Sequence, residues 1–214
     1  MLNFQEFFEQ CAGIWKTERI YHYPLDGEIE RSYTEFRVSS LSETAKSAIL
    51  APYIQSAADR LTIAPDALSQ AEFACPGFAI AFETRSETGE EVAMTLNALF
   101  VPEALILANP MKLPTLPLAA EVAPSDEVIR GIYLRDEGYS EAGAIAGQFT
   151  YQPTRQTLEM TTSYRRSVAV DQMRFVAPDT RMRTIVTYRR PEAESDRPTV
   201  ISLMGFGVEY RQAA

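Results

Sequence analysis

Short runs of β-favouring residues, separated by turn signals roughly every ten residues, occupy the chain from Ala71 almost to its end. This rhythm constrains the fold more than any other feature. Strands joined by short turns pair antiparallel, whereas parallel pairing needs about a dozen or more connecting residues. Phe78 to Thr84 and Glu91 to Val101 bracket Glu87-Thr88-Gly89-Glu90, which reads as a hairpin loop. Val128 to Arg135, Gly147 to Gln152, Leu158 to Tyr164, Gln172 to Val176, Met182 to Arg190 and Val200 to Tyr210 follow. Upstream, Trp15 to Ile20 and Ile29 to Ser39 alternate in the same way around turn chemistry at Pro24 to Gly27. The expectation is one mostly-β domain over residues 1–214, an antiparallel sandwich or barrel.

Two segments read as helices. From Leu2 to Trp15, Asn3 is the expected N-cap with Glu6 as its capping-box partner, and Phe4, Phe7, Phe8 and Cys11 share one face. Gly13 is placed for the C′ position. Thr44 to Leu61 is Ala-rich with apolar residues near helical spacing, which predicts a second helix with Pro52 in its first turn or at a break. Asn109 to Pro124 contains Pro110, Pro114, Pro117 and Pro124 and reads as a long surface connection, and Pro191 to Pro198 as a charged loop.

Composition removes several function classes. A net charge of −9 argues against nucleic-acid binding, which needs a basic surface. No apolar run approaches the roughly 20 residues that span a bilayer. Met1 to Gln10 is acidic and lacks the pattern of a signal peptide, so the expected location is the cytoplasm. Cys11 and Cys75 cannot form a disulfide scaffold or an all-cysteine metal site. Cys11 reads as core, and Cys75 as a bystander in preference to a reactive thiol. His22 is the sole histidine. There is no GxGxxG, Walker A, HExxH or GxSxG motif.

One charge feature stands out. Between Tyr164 and Arg190 lie seven arginines against Asp171 and Asp179, a local excess of five positive charges. Arg181 and Arg183 are two apart, so on a strand they project from one face. Two neighbouring guanidiniums make a docking point for a ligand carrying carboxylates. The alternative is a solvated outer face, in a chain with 17 Arg and only three Lys.

At this point the motifs resemble a known family. They run Gly13-x-Trp15-x-Thr17-x-Arg19-x-x-His22, Tyr133-Leu134-Arg135-Asp136-x-Gly138-Tyr139, Gly147-x-Phe149 and Thr161-Thr162-x-Tyr164. Phe175-x-x-Pro178-x-x-Arg181-Met182-Arg183-Thr184 and Glu209-x-Arg211 follow. In this order they resemble the S-type (CpcS/CpeS, including CpcU-like) phycobiliprotein chromophore lyases. The match covers both ends and roughly the last 85 residues of the chain; Ser40 to Pro124 matches least and is expected to carry insertions.

The resemblance implies a lipocalin-like antiparallel barrel of about ten strands, with an N-terminal helix closing one end and room for one ligand. It implies a lyase that binds a free linear tetrapyrrole (phycocyanobilin or phycoerythrobilin) non-covalently. The bilin is then transferred to a cysteine of a phycobiliprotein α or β subunit as a thioether, with no metal or nucleotide cofactor. The implied bilin-pocket residues are Arg19, Asp171, Arg181 and Glu209, with Asp171 standing where the family usually has Glu. Asp171 and Arg181 are the catalytic expectations, supported by Arg183. Guanidiniums suit propionates, and a carboxylate suits pyrrole N–H donors. His22 lines the pocket or is a satisfied structural histidine, and Tyr164 and Phe149 are ring contacts or core. The resemblance also implies a homodimer or a heterodimer with a paralogous lyase subunit, and a location in the cyanobacterial cytoplasm or, if algal, the plastid stroma. The alternatives are a non-catalytic bilin carrier, a subunit active only with such a partner, or a scaffold for phycobilisome assembly.

Overall fold

Twelve strands and two helices organise the chain in a computed structural model describing residues 1–55, 61–64, 75–109, 111, 114–139 and 141–213. The strands are β1 (Gly13–Tyr23), β2 (Glu28–Ser40), β3 (Thr62–Ile63), β4 (Gly77–Ser86), β5 (Glu91–Pro102) and β6 (Ile106–Ala108). They continue with β7 (Ile129–Arg135), β8 (Ile145–Gln152), β9 (Thr157–Ser163), β10 (Ser167–Ala177), β11 (Thr180–Arg189) and β12 (Ile201–Arg211). Ten close into a barrel in the ring order β1-β12-β11-β10-β9-β8-β7-β5-β4-β2, with every neighbouring pair antiparallel. Closure is made by the first and last strands, in register from Trp15 opposite Arg211 to His22 opposite Met204. A closed ring leaves no exposed sheet edge.

Helix α1 (Phe4–Cys11) carries the expected capping box: the Glu6 amide donates to the Asn3 side chain at 2.9 Å, and the Asn3 amide to the Glu6 carboxylate at 2.8 Å. It is shorter than the sequence predicts. Ala12 is already extended, and Gly13, at φ +129°, starts β1 in a conformation that disfavours any side chain. Trp15 therefore belongs to the strand, its indole N–H donating to the Cys11 carbonyl at 2.8 Å. The apolar face of α1 plugs one end of the barrel. Phe7 and Phe8 are buried there, packed on Tyr151 and Phe175 and on Phe78 and Phe100.

Helix α2 (Glu43–Gln55) lies against the outside of the barrel, where Ile49 and Leu50 join Leu99, Val101, Ile132 and Leu134 in a second core. Pro52 corrects the sequence expectation: it sits inside the helix near its described end, where its missing N–H costs one late hydrogen bond. The expected continuation to Leu61 crosses residues 56–60, and the start of the β-like region at Ala71 also lies outside the described residues. The β3–β6 ladder, apart from the barrel, was not legible in the sequence. Among its described residues the proline-rich segment holds a 3₁₀ turn at Leu118–Ala120. Leu116 and Ala120 of that segment cover Val170 and Tyr188 on the outer face of β10 and β11. Among the described residues no helix is long and apolar enough to cross a membrane.

Candidate functional site

Strand alternation decides which charged residues enter the barrel. On β1 the inward positions are Trp15, Thr17, Arg19 and Tyr21; on β11 they include Arg181 and Arg183; on β10 Asp171; and on β12 Gly205, Gly207 and Glu209. Pairing sets Glu209 between Thr17 and Arg181, and Gly207 between Arg19 and Arg183. The two glycines are required by space: a Cβ on Gly207 would lie 2.8 Å from the Glu18 carbonyl and 3.0 Å from Arg19 Cγ. One on Gly205 would lie 2.6 Å from the Tyr21 ring. Their absent side chains let Arg19 and Tyr21 lie across β12.

The sequence-predicted charges come together inside the ring. Glu209 is 0% exposed; its Oε1 accepts from Arg19 Nη2 at 2.8 Å and its Oε2 from Arg181 Nε, while Arg183 Nη1 stands 4.0 Å from Oε1. Asp171 accepts from Arg183 in a fork, with Nε to Oδ1 at 2.9 Å and Nη2 to Oδ2. The Arg181 guanidinium lies over Trp15 at 4.1 Å and that of Arg19 over Phe36 at 4.7 Å. Burial alone would raise the Glu209 pKa, but the charges of Arg181, Arg19 and Arg183 overcome it and hold the carboxyl at about 2. Burial works against the Arg183 charge, and Asp171 and Glu209 more than restore it. Three guanidiniums face two carboxylates, so the cluster keeps one positive charge.

The cluster borders a cavity of about 610 Å³, within the range of small-molecule sites. Asp171, Arg181, Arg183 and Tyr164 line it. Arg19 and Glu209 stand behind them, holding the lining arginines in place. Cys11 closes the floor, its thiol pushed up to about 11 by burial against the opposing effect of Arg181. His22 is a correction: it alternates to the outside of β1 and stacks on exposed Phe206, so it faces no ligand in the barrel. Cys75 is buried in the outer core, where burial pushes its thiol to about 11 and disfavours the nucleophilic thiolate. Phe149 belongs to the core, stacked on Phe4. Among the described residues no three His, Cys, Asp or Glu side chains gather as metal ligands.

Arg135 is the pocket residue that the sequence reading passed over. It follows inward-facing Tyr133 by two positions on β7, and its Nη2 donates to the Tyr164 hydroxyl at 2.7 Å. That alternation, inside the Tyr133–Tyr139 motif, was the available signal.

Comparison with known proteins agrees with this geometry. A family model described as CpeS-like protein matches residues 3–105 and 117–212. Most of the stretch expected to match poorly is thus covered, leaving only 106–116 unmatched within it. The chain is 36% identical to Chromophore lyase CpcS/CpeS 1 of Synechococcus sp. (strain JA-3-3Ab) over 98% of its own length and 96% of that protein. It is 39% identical to Chromophore lyase CpcS/CpeS 2 of Paulinella chromatophora across a shorter stretch, 29% of this chain and 32% of that one. The S-type phycobiliprotein lyase CPES from Guillardia theta has the same fold, with a TM-score of 0.64, 16% identity, and coverage of 100% of this chain and 94% of that one. With the barrel, its helical plug and the family match in agreement along nearly the whole length, the chain belongs to the CpeS-like family.

Proposed function

We propose that this chain is a phycobiliprotein chromophore lyase that takes a free linear tetrapyrrole into the barrel and delivers it to a cysteine of a phycobiliprotein subunit. The observation that carries the reading is the arginine–carboxylate cluster buried on the wall of a ligand-sized cavity. The identity to a named chromophore lyase over nearly the whole length supports it.

The chemistry follows from the donor set. A bilin carries two propionates and a row of pyrrole N–H groups. Arg181 and Arg183 meet the anionic side chains, and the net positive charge of the cluster remains available for them. Asp171 uses one lone pair on each oxygen for Arg183 and keeps another to accept a pyrrole N–H, which favours the protonated, more electrophilic chromophore. Glu209 and Arg19 hold Arg181 and Arg183 in position. The acceptor's thiol then adds across the exocyclic ethylidene bond of ring A: sulfur bonds to the outer carbon, the thiol proton ends on the ring, and nothing leaves. The lyase contributes orientation and exclusion of wrong adducts, so it needs no thiol or imidazole of its own.

The test is to incubate the chain with phycocyanobilin and an apo-subunit, alone and with a paralogous lyase subunit. An acid-stable adduct on the acceptor is the expected product. A shifted bilin spectrum without adduct in either arm identifies a carrier, and an unshifted spectrum removes the bilin reading.

A further inference from the structure

A third arginine, Arg135 on β7, lines the cavity, and among the described residues no carboxylate pairs with it. It is 4% exposed. Its surroundings are phenols: Tyr164 accepts one hydrogen bond, and the guanidinium lies 4.6 Å from the centre of the Tyr139 ring and 5.8 Å from those of Tyr133 and Tyr164. Phenols are neutral near pH 7, so they supply ring electrons and one acceptor but no countercharge. Its Nε is buried with no acceptor at all. Asp136, the next residue, points to the other face of the strand and is spent on the amide and side chain of Asn97 at 2.7 and 2.6 Å. A buried guanidinium without a countercharge is costly, and a ligand that supplies one relieves that cost.

Position adds to the argument. In the ten-strand ring β7 lies opposite β12, so Arg135 lines the cavity from the side of the ring opposite the strand that carries Glu209. It is the last residue of β7, towards the end away from α1, whereas Arg181 lies near the plugged end. The Arg181–Glu209 cluster thus keeps one excess positive charge and Arg135 carries another outside any ion pair, while Glu30, which also lines the cavity, accepts from the Tyr23 hydroxyl at 3.1 Å.

We infer that Arg135, framed by Tyr133, Tyr139 and Tyr164, is a second anion-binding point that holds one carboxylate of the ligand. Resting on the bilin reading above, this assigns it one of the two propionates, with the Arg181–Arg183 side taking the other. The planar guanidinium suits a carboxylate bidentately, and the tyrosines exclude water around the contact.

The experiment titrates the full-length chain with phycocyanobilin and with its dimethyl ester, read by bilin absorption. The wild type should bind the free acid more tightly than the ester. R135Q should weaken the acid by about 10- to 100-fold and leave the ester nearly unchanged. R135K, which keeps the charge, should retain part of the preference, and R174Q, removing an exposed arginine from the outer face of β10, should retain all of it. Far-UV circular dichroism checks that each variant keeps the barrel; if R135Q does not fold, the R135K and wild-type acid-to-ester ratios decide. Equal loss of acid and ester in R135Q, or an R135K ratio equal to that of the wild type should R135Q not fold, overturns the anchor and leaves the bilin reading standing. A wild type that shifts neither form overturns both.

Discussion

Glu209 binds two of the three buried guanidiniums directly, those of Arg19 and Arg181, and with Asp171 lets all three coexist. Removing one partner from such a buried cluster typically costs about 3–5 kcal/mol, because the remaining charges lose their compensation without regaining water. Glu209→Gln is therefore expected to lower unfolding stability by about that amount in urea titrations. The same group sets an acid limit. Its folded pKa of about 2 lies below the ordinary 4.5, so its stabilising contribution is complete above about pH 4.5 and disappears as the pH falls towards 2. Over that window the wild type should lose on the order of 3 kcal/mol more than Glu209→Gln. Parallel pH profiles would refute the assignment. The two thiols give a second test at this scale: both are buried with raised pKa values, so neither should react with a disulfide reagent at pH 7.5 until the chain is unfolded. Strand spacing made Arg181 and Arg183 visible in the sequence, whereas Arg19, Asp171 and Glu209 were named only because the motifs resemble those of a known family. Of the two readings left open for His22, alternation from inward Trp15, Thr17 and Arg19 along β1 selects the one outside the pocket.

At the scale of the element, β12 shows how an empty position does work. Gly207→Ala would push a methyl group against the Glu18 carbonyl, the Thr17 hydroxyl and the Arg19 stem. Backbone cannot yield as a flexible side chain can, so the expected cost is about 1–3 kcal/mol in chemical denaturation, with Arg19 displaced from Glu209. An unchanged midpoint would mean that β1 and β12 are more loosely paired than their register requires. The strands were legible because period-two alternation is a local property, and α1 because its capping box and phenylalanine face are contained within nine residues, Asn3–Cys11. Elements that depend on partners remote in sequence were not. The β3–β6 pair is two short pieces about forty residues apart in the chain. Pro52 is tolerated within α2, whose apolar residues pack against β5 and β7, an arrangement that no local signal announces.

For the molecule as a whole, the inside and the outside carry opposite charge. The chain bears −9, while the described cavity wall presents guanidiniums in excess. The loops at the open end, away from α1, carry Asp26, Glu87, Glu90, Asp136, Glu137, Glu141, Glu192, Glu194 and Asp196, against Arg165, Arg166, Arg190 and Arg197. On the function proposed above, a dianionic bilin approaching this protein would be repelled at long range and held at short range. The two regimes respond differently to salt. Exposed charges are screened beyond about 8 Å at physiological ionic strength, whereas buried contacts are screened much less. Added salt should then speed bilin association, by about two- to fivefold between 20 and 300 mM KCl, and leave dissociation nearly constant. Stopped-flow absorption of the bilin reads both rates. Association that slows with salt would mean that the ligand is drawn in by an attractive external field, and the acidic rim would have no part in its entry. The dimethyl ester separates the causes, since without propionates its association should not depend on salt. Its dissociation should be faster, because the arginines would then have nothing to hold.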